Sequence, residues 1–98
     1  MFEKMIEYTR ERVPRMVKIL KLTTDPNIIL DFYLGKDGQP MTMKEIGKKY
    51  GKGRMTIKSI IEIFEGACQY NSLAIKTTFE FLDSYRKHFM TVCSKNIK

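Results

Sequence analysis

Residues 41–62, MTMKEIGKKYGKGRMTIKSIIE, constrain this chain more than any other stretch, because they specify two short helices and the turn between them. Thr42 and Glu45 form a T-x-x-E capping box, in which the hydroxyl takes the Glu45 amide and the carboxylate takes the Thr42 amide. Met41 before the cap and Ile46 at the fourth helical position suit a hydrophobic staple. The first helix is expected to run to about Tyr50, with Ile46 and Tyr50 on one face. Gly47 lies between them, where the second helix must cross closely and a side chain would obstruct it. Gly51 supplies the left-handed backbone that ends a helix. Gly53 caps the next one, less strongly than Ser or Thr would. Ile57, Ile60, Ile61 and Phe64 then mark the buried stripe of a second helix, expected over about Arg54 to Phe64.

The other face of that second helix carries Arg54, Met55, Lys58, Ser59 and Glu62. Two helices joined in this way make a helix-turn-helix, whose second helix presents its early exposed positions to the major groove. Arg54 can pair with guanine through two hydrogen bonds, Ser59 can bond several bases, and Met55 can touch a thymine methyl. Arg54, Met55, Lys58 and Ser59 are therefore the expected base-reading residues. Lys44, Lys48, Lys49 and Lys52 surround them and suit phosphates. Between Lys44 and Lys58 there are six basic residues and one acid, Glu45, which the cap uses. That imbalance is the footprint of a duplex-binding surface.

The stretch resembles the general bacterial helix-turn-helix, with Ile46, Gly47, Tyr50, Gly51, Ile57 and Ile60 at its apolar and small positions. Lys52 departs from that pattern, since an apolar residue usually follows the turn glycine; its stem can lie over the turn. A narrower resemblance extends upstream. Residues 25–62 look like the last region of primary sigma factors, and the loop LGKDGQPMTMKEIG carries most of the likeness. That family has a helix, a glycine-bearing loop and a helix-turn-helix that reads the upstream promoter element. The resemblance implies a stand-alone module that binds a promoter or RNA polymerase. This chain continues well past Glu62, where sigma factors usually end in a short basic helix, and it lacks the other sigma regions.

The whole chain agrees with a polyanionic partner. Its 98 residues suit one small domain, and the net charge of +7 favours nucleic acid over an acidic protein. Cys68 and Cys93 form no C-x-x-C pair, so both are expected to be buried small apolar residues in a reducing cytoplasm. No apolar run approaches the length of a membrane span. The fold class expected is all-α, a single domain over 1–98 of about five to six helices with the motif at 42–64.

Upstream, residues 2–13 read as an amphipathic helix with Phe2, Met5, Ile6, Thr9 and Val13 on one side. Pro14 either opens a second helix or kinks a single one. Arg12, Arg15, Lys18 and Lys21 form a basic strip, read as a solvated helix face in preference to a phosphate site. Asp25-Pro26 starts a helix carrying Ile28, Ile29, Phe32 and Tyr33, which Gly35 closes. Downstream, Gly66 is expected to end the recognition helix or its extension, and Asn71-Ser72 to cap a last helix over 73–92. Ile75, Phe79, Leu82, Phe89 and Val92 share one side of it, with Phe81 and Tyr85 nearby. It either completes the core or pairs two copies. A homodimer is the favoured expectation, because one motif reads few base pairs.

No constellation asks for catalysis. His88 is the sole histidine and has no second metal ligand at a useful spacing, and the aspartates are scattered. GKGRMT lacks the ending of a phosphate-binding loop. The expected function is a sequence-specific, DNA-binding transcriptional regulator, with no cofactor, no metal and no enzyme activity. A module that binds RNA polymerase, or a DNA-packaging or replication adaptor, is the alternative.

Overall fold

The computed structural model describes residues 2–96, and the side chains from residue 3 to 91. The expected burial of Val92 and Cys93 lies outside that range. Five helices follow one another: α1 (Phe2–Ile19), α2 (Pro26–Tyr33), α3 (Met43–Tyr50), α4 (Arg54–Gln69) and α5 (Leu73–Asn96). Among the described residues there is no strand.

α1 runs as a single helix through Pro14, so of the two expected outcomes no second helix opens there. Pro14 removes one helical hydrogen bond, but Val13, Met16 and Val17 on either side are buried and hold the helix together. The helix stops at a left-handed Lys21, φ 58°. The amides of Lys21 and Leu22 donate to the carbonyls of Lys18 and Val17, which satisfies the last turn.

α2 is the centre of the molecule. Asp25 caps it by accepting from the Asn27 amide at 2.9 Å, and Pro26 opens it. Every residue from Ile28 to Tyr33 is buried. Tyr33 meets Phe64 of α4 and Phe79 of α5 with ring centroids 6.1 and 5.9 Å apart, and Phe64 and Phe79 meet at 6.1 Å. These tilted and edge-on contacts join three helices in one aromatic cluster. Gly35 then turns the chain at φ +71°; a Cβ there would stand 1.9 Å from the Gln39 carbonyl oxygen.

α4 is longer than its sequence pattern implies. It continues past Phe64 and through Gly66 to Gln69. Cys68, four residues beyond Phe64, is fully buried, and burial of that extra turn outweighs the roughly 1 kcal/mol that a helical glycine costs. Ser72 caps α5 through the Ile75 amide. Ile75, Phe79 and Leu82 of α5 are buried within the single chain, while Phe81, Tyr85 and Phe89 are half-buried. The inner face of α5 therefore completes the monomer's core and is not free to pair two copies.

Candidate nucleic-acid interface

α3 and α4 form the helix-turn-helix that the spacing predicts. Both arms of the capping box are present: the Glu45 amide donates to Thr42 Oγ1 at 3.1 Å, and the Thr42 amide donates to Glu45 Oε1 at 3.0 Å. The Thr42 amide holds the Glu45 carboxyl below its usual range. Its negative charge is thus committed to the cap. Gly51 ends α3 at φ 65°, ψ 36°. Gly47 is needed for a close approach, but the group that approaches is the turn and not α4 itself. A Cβ on Gly47 would lie 2.6 Å from the Lys52 carbonyl oxygen. The Lys52 amide also donates to Gly47 O at 2.8 Å. Lys52 therefore replaces the usual apolar turn residue by using its backbone, while its side chain stays exposed.

Ile57, Ile61, Phe64 and Cys68 face inward from α4. At 100° per residue, the face opposite them is centred on Met55 and Ser59. Arg54, Met55, Lys58 and Ser59 are all exposed, and Met55 is 70% so. Gly53 leaves the first turn of α4 without a side-chain cap. The amides of that turn have no helical partner and can donate to a phosphate. Lys58 lies to one side, on the rim of an open cleft of about 510 Å³ lined also by Glu62, Glu65, Asp83, Arg86 and Lys87. Met55 and Ser59 therefore form the centre of the reading surface, and Arg54, off that axis like Lys58, is exposed because it is the first residue of α4.

The lysines divide. Lys44, Lys48 and Lys52 are exposed and take part in none of the ion pairs found among the described residues. Lys49 points its ammonium at Asp31 Oδ2, 2.9 Å away. It is grouped with the phosphate lysines by sequence, but in the fold it fastens α3 to α2.

Asp31 is the residue that sequence reasoning passes over. It is 6% exposed, on the buried side of α2. Its carboxylate accepts from Lys49 Nζ and from Tyr50 Oη at 2.6 Å, while its carbonyl accepts the Met41 amide at 2.9 Å. One residue thus holds α3 just before its first turn and again at its last. Burial, followed by the Asp31 hydrogen bond, pushes the Tyr50 phenol well above its usual value, so it stays a donor. The signal available in the sequence is a lone acid within an otherwise apolar helix, PNIILDFY, which must find partners if it is buried.

Chemistry at the cysteine is suppressed. Cys68 is free and buried, and burial alone pushes its thiol up to about 12. Among the described residues no group of His, Cys, Asp and Glu is arranged to hold a metal, and no helix is long and apolar enough to cross a membrane.

Residues 14–62 match the family model described as Sigma-70, region 4. The match begins within α1, spans α2 and α3 and ends within α4. No curated protein and no solved structure matches the chain. The α3–α4 unit is a helix-turn-helix DNA-binding element.

Proposed function

The chain belongs to the sigma-70 region 4 family, and from that premise we propose that it is a sequence-specific regulator of transcription that reads duplex DNA with α4. The observation that carries this reading is the exposed surface formed by Arg54, Met55 and Ser59 beside an uncapped helix start, flanked by Lys44, Lys48 and Lys52. Arg54 and Ser59 supply hydrogen bonds to base edges, and Met55 an apolar contact. The three lysines neutralise phosphates and set the register without carrying sequence information. Lys58 joins from the side. No catalytic role is assigned to any residue. A cytoplasmic setting fits the free Cys68 thiol.

One helix-turn-helix reads few base pairs, so the reading unit is a homodimer on two half-sites. The surface for pairing is the outer edge of α1 and α5, where Met5, Tyr8 and Leu73 are 44%, 54% and 79% exposed. The same apolar edge supports a second reading, a protein-interaction module docked on RNA polymerase.

Selection of bound duplexes from a random pool, read at two salt concentrations, tests the proposal. An enriched motif supports sequence-specific reading, and a palindromic motif supports the dimer. Salt-sensitive binding without enrichment overturns specificity and leaves a charged adaptor. No binding at either salt, with capture of RNA polymerase, favours the second reading.

A further inference from the structure

The family match ends at residue 62, and α5 lies wholly beyond it. α5 nevertheless reaches the start of the helix-turn-helix. Arg86 Nη1 donates to the Phe32 carbonyl at 2.5 Å and to the Met41 carbonyl at 2.8 Å. The guanidinium also lies 3.6 Å from the centroid of the Phe32 ring. Phe32 is in the last turn of α2, where carbonyls have no helical partner. Met41 precedes the Thr42 cap of α3. One nitrogen therefore ties the end of α2 to the start of α3. The neighbouring Tyr85 hydroxyl donates to the Gly38 carbonyl at 2.5 Å, within the same connection. From the other side, Arg10 Nη2 donates to Gly35 O at 2.8 Å.

α3 depends on such fastening. It has eight residues, and only Ile46 and Gly47 are buried. A helix that short is not stable alone, and its own core contact is small. The aromatic cluster of Tyr33, Phe64 and Phe79 holds α2, α4 and α5 together without Arg86. Asp31 still holds Met41, Lys49 and Tyr50 without Arg86, so losing Arg86 loosens the start of α3 before it loosens the rest.

We propose that Arg86 is a positioning residue for DNA recognition: from α5 it fixes where α3 begins, and through α3 and the Gly47–Lys52 turn it fixes how α4 meets the duplex. A guanidinium can donate to two carbonyls through one nitrogen while its carbon lies over a ring. This inference rests on the DNA-reading function proposed above, but one arm of its test does not.

The test uses Arg86→Met in the full chain. In the free protein, amide hydrogen exchange is expected to show about tenfold loss of protection in α3, while core amides of α4 and α5 change far less. On a duplex enriched by selection, affinity is expected to fall about tenfold with no change in the slope against salt, because no phosphate contact is lost. On a scrambled duplex of equal length, affinity is expected to stay within about twofold. Equal loss of protection in all helices overturns the proposal and leaves a plain stability role. A reduced salt slope also overturns it, since Arg86 would then be touching DNA. If no duplex is enriched, sequence-specific reading fails while the exchange arm still decides whether Arg86 positions α3. Should Arg86→Met fail to fold, Arg86→Lys, which keeps the charge but lacks the planar group over the Phe32 ring, gives the same two readouts.

Discussion

Adding one methyl group at Gly47 and at Gly66 is expected to have opposite consequences. Both glycines lie inside helices, where alanine is better by about 0.5–1 kcal/mol. At Gly66 a Cβ would meet nothing within 4 Å, so Gly66→Ala keeps the whole gain. At Gly47 the Cβ would stand 2.6 Å from the Lys52 carbonyl oxygen. That oxygen belongs to backbone whose amide is itself bonded to Gly47 O, so it cannot swing away. Restoring an ordinary contact moves the turn by several tenths of an ångström, and overpacking of this kind costs about 1–3 kcal/mol. Set against the helical gain, Gly47→Ala loses roughly 0–2 kcal/mol and lies about 1–3 kcal/mol below Gly66→Ala. Urea denaturation of the two variants measures the difference directly. Equal stabilisation by both would refute the account, because the turn would then not be seated against α3.

Three further outcomes are expected. Asp31→Ala, which leaves Tyr50 Oη and Lys49 Nζ without their acceptor, costs about 1–3 kcal/mol in denaturant titration, most of it from the Tyr50 bond because Lys49 is half exposed. Lys48→Ala lowers the salt slope of duplex binding by about one, whereas Lys49→Ala, whose ammonium is on Asp31, leaves the slope unchanged; salt titrations of the two variants decide the matter. Lys21→Gly relieves a left-handed backbone at the end of α1 and raises stability by up to about 1 kcal/mol in thermal or urea unfolding.

Much of the recognition unit is legible because its signals are local. Thr42 and Glu45 are three residues apart, Gly51 follows the helix it ends, and Asp25-Pro26 starts the helix it precedes. The residues that orient the unit are not local. Asp31 meets its partners 18 and 19 residues away, and Arg86 reaches carbonyls 54 and 45 residues away. No periodicity encodes such pairs. Two local signals were overruled for a common reason. Pro14 reads as a helix start or a kink and Gly66 as a helix end, yet buried neighbours on both sides, Val13 with Val17 and Phe64 with Cys68, carry single helices through. Lys49 belongs to a basic run by composition, and only the placement of a buried carboxylate removes it from the phosphate set.

The outer face of α4 is expected to meet the duplex. Amide chemical shifts of the isotopically labelled chain, followed while a random-sequence duplex and then the enriched duplex are added, test it most directly. The largest changes are expected between Lys48 and Ser59, with the enriched duplex adding shifts at Arg54, Met55 and Ser59. Changes confined to the basic strip of α1, at Arg12, Arg15 and Lys18, with α4 unmoved, would contradict this expectation.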